Sequence, residues 1–133
     1  MEMQIEFELP IYYTIVKKTK KNTTHLVGLN WFRNLYHYTK NKVKQDYHKL
    51  VADATVNMEP IKGQYKTKYV LYYKSKVCDG PNIVPMIEKF ALDGLIEAGM
   101  IEEDNVQYNV GSDGWYAIQD KEDPRLKIII TKI

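Results

Sequence analysis

This chain of 133 residues contains almost no cysteine: Cys78 is its single thiol. One thiol excludes an internal disulfide framework and is typical of a reducing compartment. There is also no apolar run of the roughly 20 residues that a membrane-spanning helix needs. The first residues are acidic and lack the basic start and apolar core of a secretory signal. We therefore expect a cytoplasmic protein that does not enter a membrane.

Several motifs with well-understood chemistry are absent as well. The sequence has no glycine-rich phosphate loop, no paired-cysteine motif and no nucleotide-binding fingerprint. Its histidines, His25, His37 and His48, lack the spacing of metal ligands, and none lies near Cys78 to activate it as a nucleophile. The length and the 44% hydrophobic content predict one globular domain over residues 1–133.

Charge is unevenly distributed along the chain, although the net value is only +2. Residues 1–76 hold 14 lysines and arginines against 6 acidic residues, a balance of +8. Residues 77–133 hold 5 against 11, a balance of −6. Such an arrangement can indicate a polyanion-binding surface around a carboxylate site. The alternative is that the two halves only neutralise each other.

Hydrophobic periodicity predicts a small α/β (α+β) domain in the order β-α-β-α-β-β, with a mixed sheet of about four strands and two helices. Strands are predicted at residues 5–9, 65–76 and 126–133, and a hairpin at residues 106–119 that turns at Gly111–Gly114. A basic loop is predicted at residues 17–24 and a helical region at residues 29–56. The second helix is predicted to begin near Pro85 and to end at Gly99.

Acidic residues cluster at the two ends of this second helix. Asp79 precedes it in a turn, whereas Glu103 and Asp104 follow Gly99. Because such clustering is costly without a cation, we expect Asp79 and Asp104 to share a divalent metal ion. Carboxylate oxygens suit Mg²⁺ or Mn²⁺. Lys89, on the same helix, could reach a phosphate or neutralise a carboxylate. Alternatively, it forms only an exposed i,i+4 ion pair with Asp93, which contributes roughly a few tenths of a kcal/mol.

These short elements, in this order, resemble the RusA-type Holliday-junction resolvases and their phage-encoded relatives. The core of the resemblance is Asp79-x-x-Asn82, Lys89-x-x-x-Asp93-x-Leu95, Gly99 and Glu103-Asp104. Two further segments also resemble phage members: Leu29-Asn30-Trp31-x-Arg33-Asn34 with Asn41-Lys42 and Lys44, and Asp123-Pro124-Arg125. The resemblance thus covers most of the chain.

The resemblance implies a RusA-like fold, a homodimer and Mg²⁺-dependent hydrolysis of phosphodiesters in branched DNA, such as a four-way junction, within a bacterial host cell. It implies that Lys89, Asp79 and Asp104 are catalytic. The metal ligands that it implies are Asp79, Asp104, Glu103, Glu88 and Asp93. The DNA contacts that it implies are Lys17, Lys18, Lys20, Lys21, Arg33, Lys42 and Lys44.

One departure from the family pattern bears on activity. The family has Asp-x-Asp-Asn where this chain has Asp79-Gly80-Pro81-Asn82, so one expected metal ligand is missing. Glu88 or Glu103 could supply the missing oxygen. A second hypothesis is a protein that binds junctions without cutting them. A third is an unrelated protein-interaction module whose acidic cluster is only a solvated helix end.

Overall fold

The computed structural model of this protein, which describes residues 3–76 and 78–133, contains a four-stranded mixed sheet and a separate two-stranded sheet. In chain order the elements are β1 (Gln4–Pro10), β2 (Tyr12–Ile15), β3 (Thr23–Leu26), α1 (Leu29–Arg33), α2 (His37–Thr55), β4 (Tyr65–Tyr73), α3 (Gly80–Glu97), β5 (Asn109–Gln119) and β6 (Arg125–Lys132). The predicted α/β (α+β) class with a mixed sheet of about four strands is confirmed. Within the described part of the chain, no helix has both the length and the apolar character to cross a membrane.

The main sheet has the strand order β1-β6-β4-β5. β6 pairs antiparallel with both β1 and β4, and β4 pairs parallel with β5. A parallel pair needs a long crossover connection, and α3 supplies it. Pro10 lies in the edge strand β1, where a residue without an N–H group is tolerated. The smaller sheet pairs β2 with β3.

The core lies between the main sheet and the helices α2 and α3. Ile5, Phe7 and Leu9 of β1 are buried while the residues between them are exposed, as expected for a strand with one covered face. The two helices approach each other closely at Gly94 and Val51. A Cβ atom added to Gly94 would lie 2.9 Å from Cβ of Val51, so only glycine fits at this crossing.

The hairpin predicted at residues 106–119 is wrong, because Asn109–Gln119 forms one strand. Its 11 residues pair with the 9 residues of β4, and the register shifts twice. Gly111 and Gly114 lie at these shifts, and Gly114 has a φ of +77°. The glycines therefore permit bulges within a strand instead of a turn between two strands.

Three other predicted boundaries need correction. The helical region at residues 29–56 is divided into α1 and α2. The basic loop at residues 17–24 overlaps a hairpin, since β3 begins at Thr23 and pairs with β2. α3 begins at Gly80, because Pro81 takes the first-turn position predicted for Pro85, which lies inside the helix. Gly99 follows the end of α3 with a φ of +75°, which confirms the predicted stop.

Candidate functional site

Lys89, Asp93 and Asp104 come together beside α3. Nζ of Lys89 lies 3.1 Å from Oδ1 of Asp93 and 3.8 Å from Oδ2 of Asp104. Asp93 is one helical turn beyond Lys89, and the Gly99 turn carries the chain back so that Asp104 reaches the same face. The Lys89 side chain is 61% exposed, so a ligand in solvent has access to its ammonium group. The predicted i,i+4 pair with Asp93 is therefore present, but it belongs to a larger cluster.

The two carboxylates keep Lys89 positively charged. The hydrogen bond to Asp93 raises the pKa of Lys89 above its ordinary value. The negative charges of Asp93 and Asp104 add to this effect and outweigh the opposing effect of burial. Lys89 is thus a cation at neutral pH, which suits charge neutralisation and excludes a role as a general base.

Tyr65 of β4 ties the acidic segment to the sheet. Its side chain is buried in the core, and its hydroxyl donates a hydrogen bond of 2.6 Å to the backbone carbonyl of Glu103. Burial raises the pKa of Tyr65, and the nearby carboxylates of Asp104, Glu103 and Glu88 raise it further. The charges of Asp104, Glu103 and Glu88 therefore all act on the same phenol.

Tyr69, two residues beyond Thr67 on the same strand, has a buried hydroxyl that makes no hydrogen bond. Glu88 and Thr67 lie next to this hydroxyl without reaching hydrogen-bond geometry. Burial raises the pKa of Tyr69, and the charge of Glu88 raises it further. The phenol is thus a neutral donor that lies beside the Glu88 carboxylate.

The arrangement of the described carboxylates limits how a metal ion could be held here. Among the residues that the structure describes, no three acidic, histidine or cysteine side chains converge on one point. Mg²⁺ in phosphate-processing sites is usually held by one or two carboxylates, and its remaining ligands are waters and substrate phosphates. Asp104 is one candidate carboxylate, and Glu103 and Glu88, whose charges also raise the pKa of Tyr65, are the others.

Asp79 lies outside this cluster. It is the N-terminal flanking residue of α3, and its side chain makes no capping hydrogen bond. A helix rises about 15 Å over the ten residues from Asp79 to Lys89. The Lys89 side chain also turns away from Asp79, towards Asp93 in the next turn. The structure therefore brings Lys89, Asp93 and Asp104 together, with Glu103 held at its backbone and Glu88 beside Tyr69, but leaves Asp79 at the far end of the helix.

The two tyrosines were not anticipated from the sequence. The available signal is the alternation Tyr65, Thr67, Tyr69, which places three hydroxyl groups on the same covered face of β4. Two hydroxyl-bearing rings and a threonine on a core-facing strand are unusual, because each buried hydroxyl needs a partner.

The basic residues implied as DNA contacts lie together on the N-terminal part of the fold. Lys17, Lys18, Lys20 and Lys21 occupy the connection between β2 and β3, Arg33 ends α1, and Lys42 and Lys44 lie in the first half of α2. Residues 9–45 contain eight lysines and arginines and no acidic residue; we call this segment the basic region. Phe32 of α1 packs edge-on against Phe90 at 5.2 Å, which joins the basic region to the helix that carries Lys89.

Neither the protein-family models nor the curated proteins gave a match to this chain. The resemblance to RusA-type resolvases therefore depends on the sequence motifs, and the geometry above is an independent observation.

Proposed function

We propose that this protein is a Mg²⁺-dependent endodeoxyribonuclease that cuts branched DNA, as the RusA-type resemblance implies. The observation that supports this proposal is the cluster of Lys89, Asp93 and Asp104. Phosphodiester hydrolysis needs a cation that stabilises negative charge on the phosphate, and an exposed ammonium group positioned by two carboxylates can supply it. The acid-free basic region, whose Phe32 packs on Phe90 of the same helix, supplies the positive surface that a DNA backbone requires.

Within this proposal, Lys89 contacts a non-bridging oxygen of the scissile phosphate. Its contact strengthens as negative charge develops on the phosphate, so it stabilises the transition state more than the ground state. Asp93 positions Lys89 through the 3.1 Å contact. Asp104 and Glu88 would hold Mg²⁺, which, when bound, activates a water and stabilises the leaving oxygen.

A homodimer is part of the proposal, because symmetric cleavage of a four-way junction requires two equivalent sites. The sheet offers a surface for this contact. α2 and α3 cover only one face, and the opposite face exposes Tyr116 and Ile118 of β5, which are 51% and 43% exposed. They pair in register with Val70 and Tyr72 of β4, but Val70 is buried and the guanidinium group of Arg125 covers the Tyr72 ring at 3.8 Å, so Tyr116 and Ile118 carry the exposed apolar surface on these two strands. Sedimentation should give twice the 15.6 kDa chain mass, and Ile118→Glu should shift the protein towards monomer. A monomeric parent protein would contradict this assembly.

A second candidate is a protein that binds branched DNA without cutting it. The observation that favours it is the absence, among the described residues, of three converging metal-ligand side chains. A synthetic four-way junction with labelled arms separates the candidates. Symmetric cleavage that needs Mg²⁺ and stops on chelation supports the nuclease. Retention on a gel without cleavage supports the binding protein. Neither retention nor cleavage contradicts both and favours the protein-interaction module.

A further inference from the structure

Three neighbouring aromatic rings are exposed at the start of α2. Tyr36 and Tyr38 are 66% and 68% exposed, and their ring centroids lie 5.4 Å apart. His37 stands between them, with its centroid 4.6 Å from that of Tyr36 and 4.1 Å from that of Tyr38. Aromatic rings in a globular protein are normally packed inside, so an exposed group of three points to a binding surface.

Tyr38 also forms one wall of a cavity of about 360 Å³ between β2 and α2. Tyr13, Thr14, Ile15 and Val16 line one side, and Tyr38, Thr39, Lys42 and Asp46 line the other. This volume is at the lower end of the range of about 300–1,000 Å³ found for small-ligand sites. It suits one planar group with attached sugar rather than an extended chain.

The charges that line this β2–α2 cavity balance each other. Its one carboxylate, Asp46, accepts a 2.5 Å hydrogen bond from the Tyr13 hydroxyl and pairs with Lys42 at 2.9 Å. Burial alone would raise the pKa of Asp46, but these two partners outweigh it and leave the pKa below its ordinary value. The negative charge of Asp46 is thus compensated by Tyr13 and Lys42, which also line the cavity. Lys17 and Lys18 follow the lining residue Val16 directly in the chain.

We propose that the β2–α2 cavity binds one unpaired nucleobase of DNA, with the base stacked on Tyr38 and its flanking phosphates on Lys17 and Lys18. This inference rests on the proposed function, and it deepens it by naming the feature of branched DNA that the basic region recognises. Aromatic rings interleaved with lysines are the usual means of holding unpaired nucleotides, because every base has a face that can stack. A fully paired duplex has no free base to offer, so the cavity would distinguish a branch point or a single strand from a plain duplex.

The experiment compares three DNA probes, each with 2-aminopurine as the fluorescent base: a four-way junction labelled at the branch point, a thymidine-rich single strand and a fully paired duplex. Binding of the parent protein should change the fluorescence of the first two probes and leave that of the duplex unchanged. Tyr38→Ala should weaken single-strand binding by about 5- to 150-fold, the range expected for one stacking interaction. Its affinity for the duplex should change by less than about twofold, because the lysines that bind phosphates remain. Tyr38→Phe keeps the ring and should behave as the parent does.

Two outcomes would overturn the inference while the proposed function stands. One is a parent protein that binds the junction without any change in 2-aminopurine fluorescence. The other is a Tyr38→Ala protein that loses affinity equally for single strand and duplex, or for neither. If the alanine variant does not fold, the fluorescence change caused by the parent protein still tests the inference. A parent protein that binds none of the three probes contradicts the proposed function itself.

Discussion

The ammonium group of Lys89 faces the carboxylate of Asp104 at 3.8 Å, although the two residues lie fifteen positions apart in the chain. The end of α3 and the Gly99 turn create this contact, so it exists only in the folded protein. An isolated i,i+4 pair would need no such turn. The contact between Lys89 and Asp104 is therefore the part of the cluster that tertiary structure adds to the local helix pattern.

Replacing Lys89 tests whether the cluster is catalytic or structural. Lys89→Ala should lower single-turnover cleavage of a four-way junction by about 100-fold or more, because the ammonium group stabilises the charge that develops in the transition state. The melting temperature should barely change, since an exposed ion pair contributes under about 1 kcal/mol. Lys121→Ala removes an exposed lysine from the β5–β6 connection and serves as the matched control. Parental cleavage by the Lys89 variant would remove Lys89 from the site.

The positions of the carboxylates give a paired prediction. Asp104→Asn should abolish cleavage but keep or tighten junction binding, because the variant has one negative charge fewer near the phosphates. Asp79→Asn, at the far end of α3, should cut as the parent does. Cleavage assays and gel retention on both variants measure this. Loss of cleavage in the Asp79 variant with normal cleavage in the Asp104 variant would instead place the site at the N-terminus of α3.

The connection between β2 and β3 should carry part of the electrostatic affinity for DNA. Alanine at Lys17, Lys18, Lys20 and Lys21 should weaken binding and flatten its salt dependence, by about 0.9 in log–log slope for each phosphate that the protein no longer neutralises. The matched control replaces four exposed lysines outside the basic region: Lys62, Lys74, Lys121 and Lys132. Equal slopes for the two variants would show that the position of the lysines does not matter.

The hydrogen bond from Tyr13 to Asp46 predicts a pH-dependent contribution to stability. The pKa of Asp46 is lowered in the folded protein, so its stabilisation is present above the unfolded pKa of about 4 and is lost below it. Burial and Asp46 raise the pKa of Tyr13, so that contribution holds up to the unfolded value of about 10 and is lost above it. Tyr13→Phe should therefore reduce the free energy of unfolding by about 1 kcal/mol between these limits.

Urea unfolding at several pH values measures this difference. Tyr47→Phe is the control, since the Tyr47 hydroxyl donates to the backbone carbonyl of Pro10 instead of a carboxylate. Its effect should stay constant as the pH falls through 4, whereas the effect of Tyr13→Phe should shrink. If both variants respond identically to acid, the Tyr13–Asp46 bond does not govern stability.

The close packing around Gly94 predicts that alanine at this position lowers stability, whereas helix propensity alone predicts that it raises stability. Alanine is the better helix former by about 1 kcal/mol. However, the new Cβ would lie 2.9 Å from Val51, and overpacking of this kind costs about 1–3 kcal/mol. Gly94→Ala should therefore destabilise the protein. Gly111→Ala has open space around its Cβ and serves as the control. A stabilised Gly94 variant would contradict the close approach of the two helices.

Strand alternation predicted most of the main sheet, because a strand with one covered face alternates apolar and polar residues along its own sequence. Ile5, Phe7 and Leu9 are an example. The bulged strand β5 was missed because Gly111 and Gly114 resemble a turn locally. What makes them bulges is the partner strand β4, which is distant in sequence and invisible to a local pattern.

Local sequence patterns also predicted only part of the candidate site. Lys89 and Asp93 were predictable from helical spacing, and Asp104 from its place after Gly99. The position of Asp79 depended on where α3 begins. Beginning at Gly80 instead of Pro85 adds five residues, or about 7.5 Å of helix, between Asp79 and Lys89. The sequence offered two prolines for the first turn and no local means of choosing between them.

The position of β6 in the sheet has a consequence for how the chain folds. β6 is the last of the strands in sequence, yet it lies between β1 and β4. During synthesis on the ribosome, β1 has no sheet partner until Arg125–Lys132 has emerged. The hairpin of β2 with β3 and the unit of β4, α3 and β5 have their own partners earlier. β1, with its alternating apolar face, is therefore the strand that remains unpaired longest during synthesis. Because its partner is so distant in sequence, this pairing is expected to be the slow step of folding.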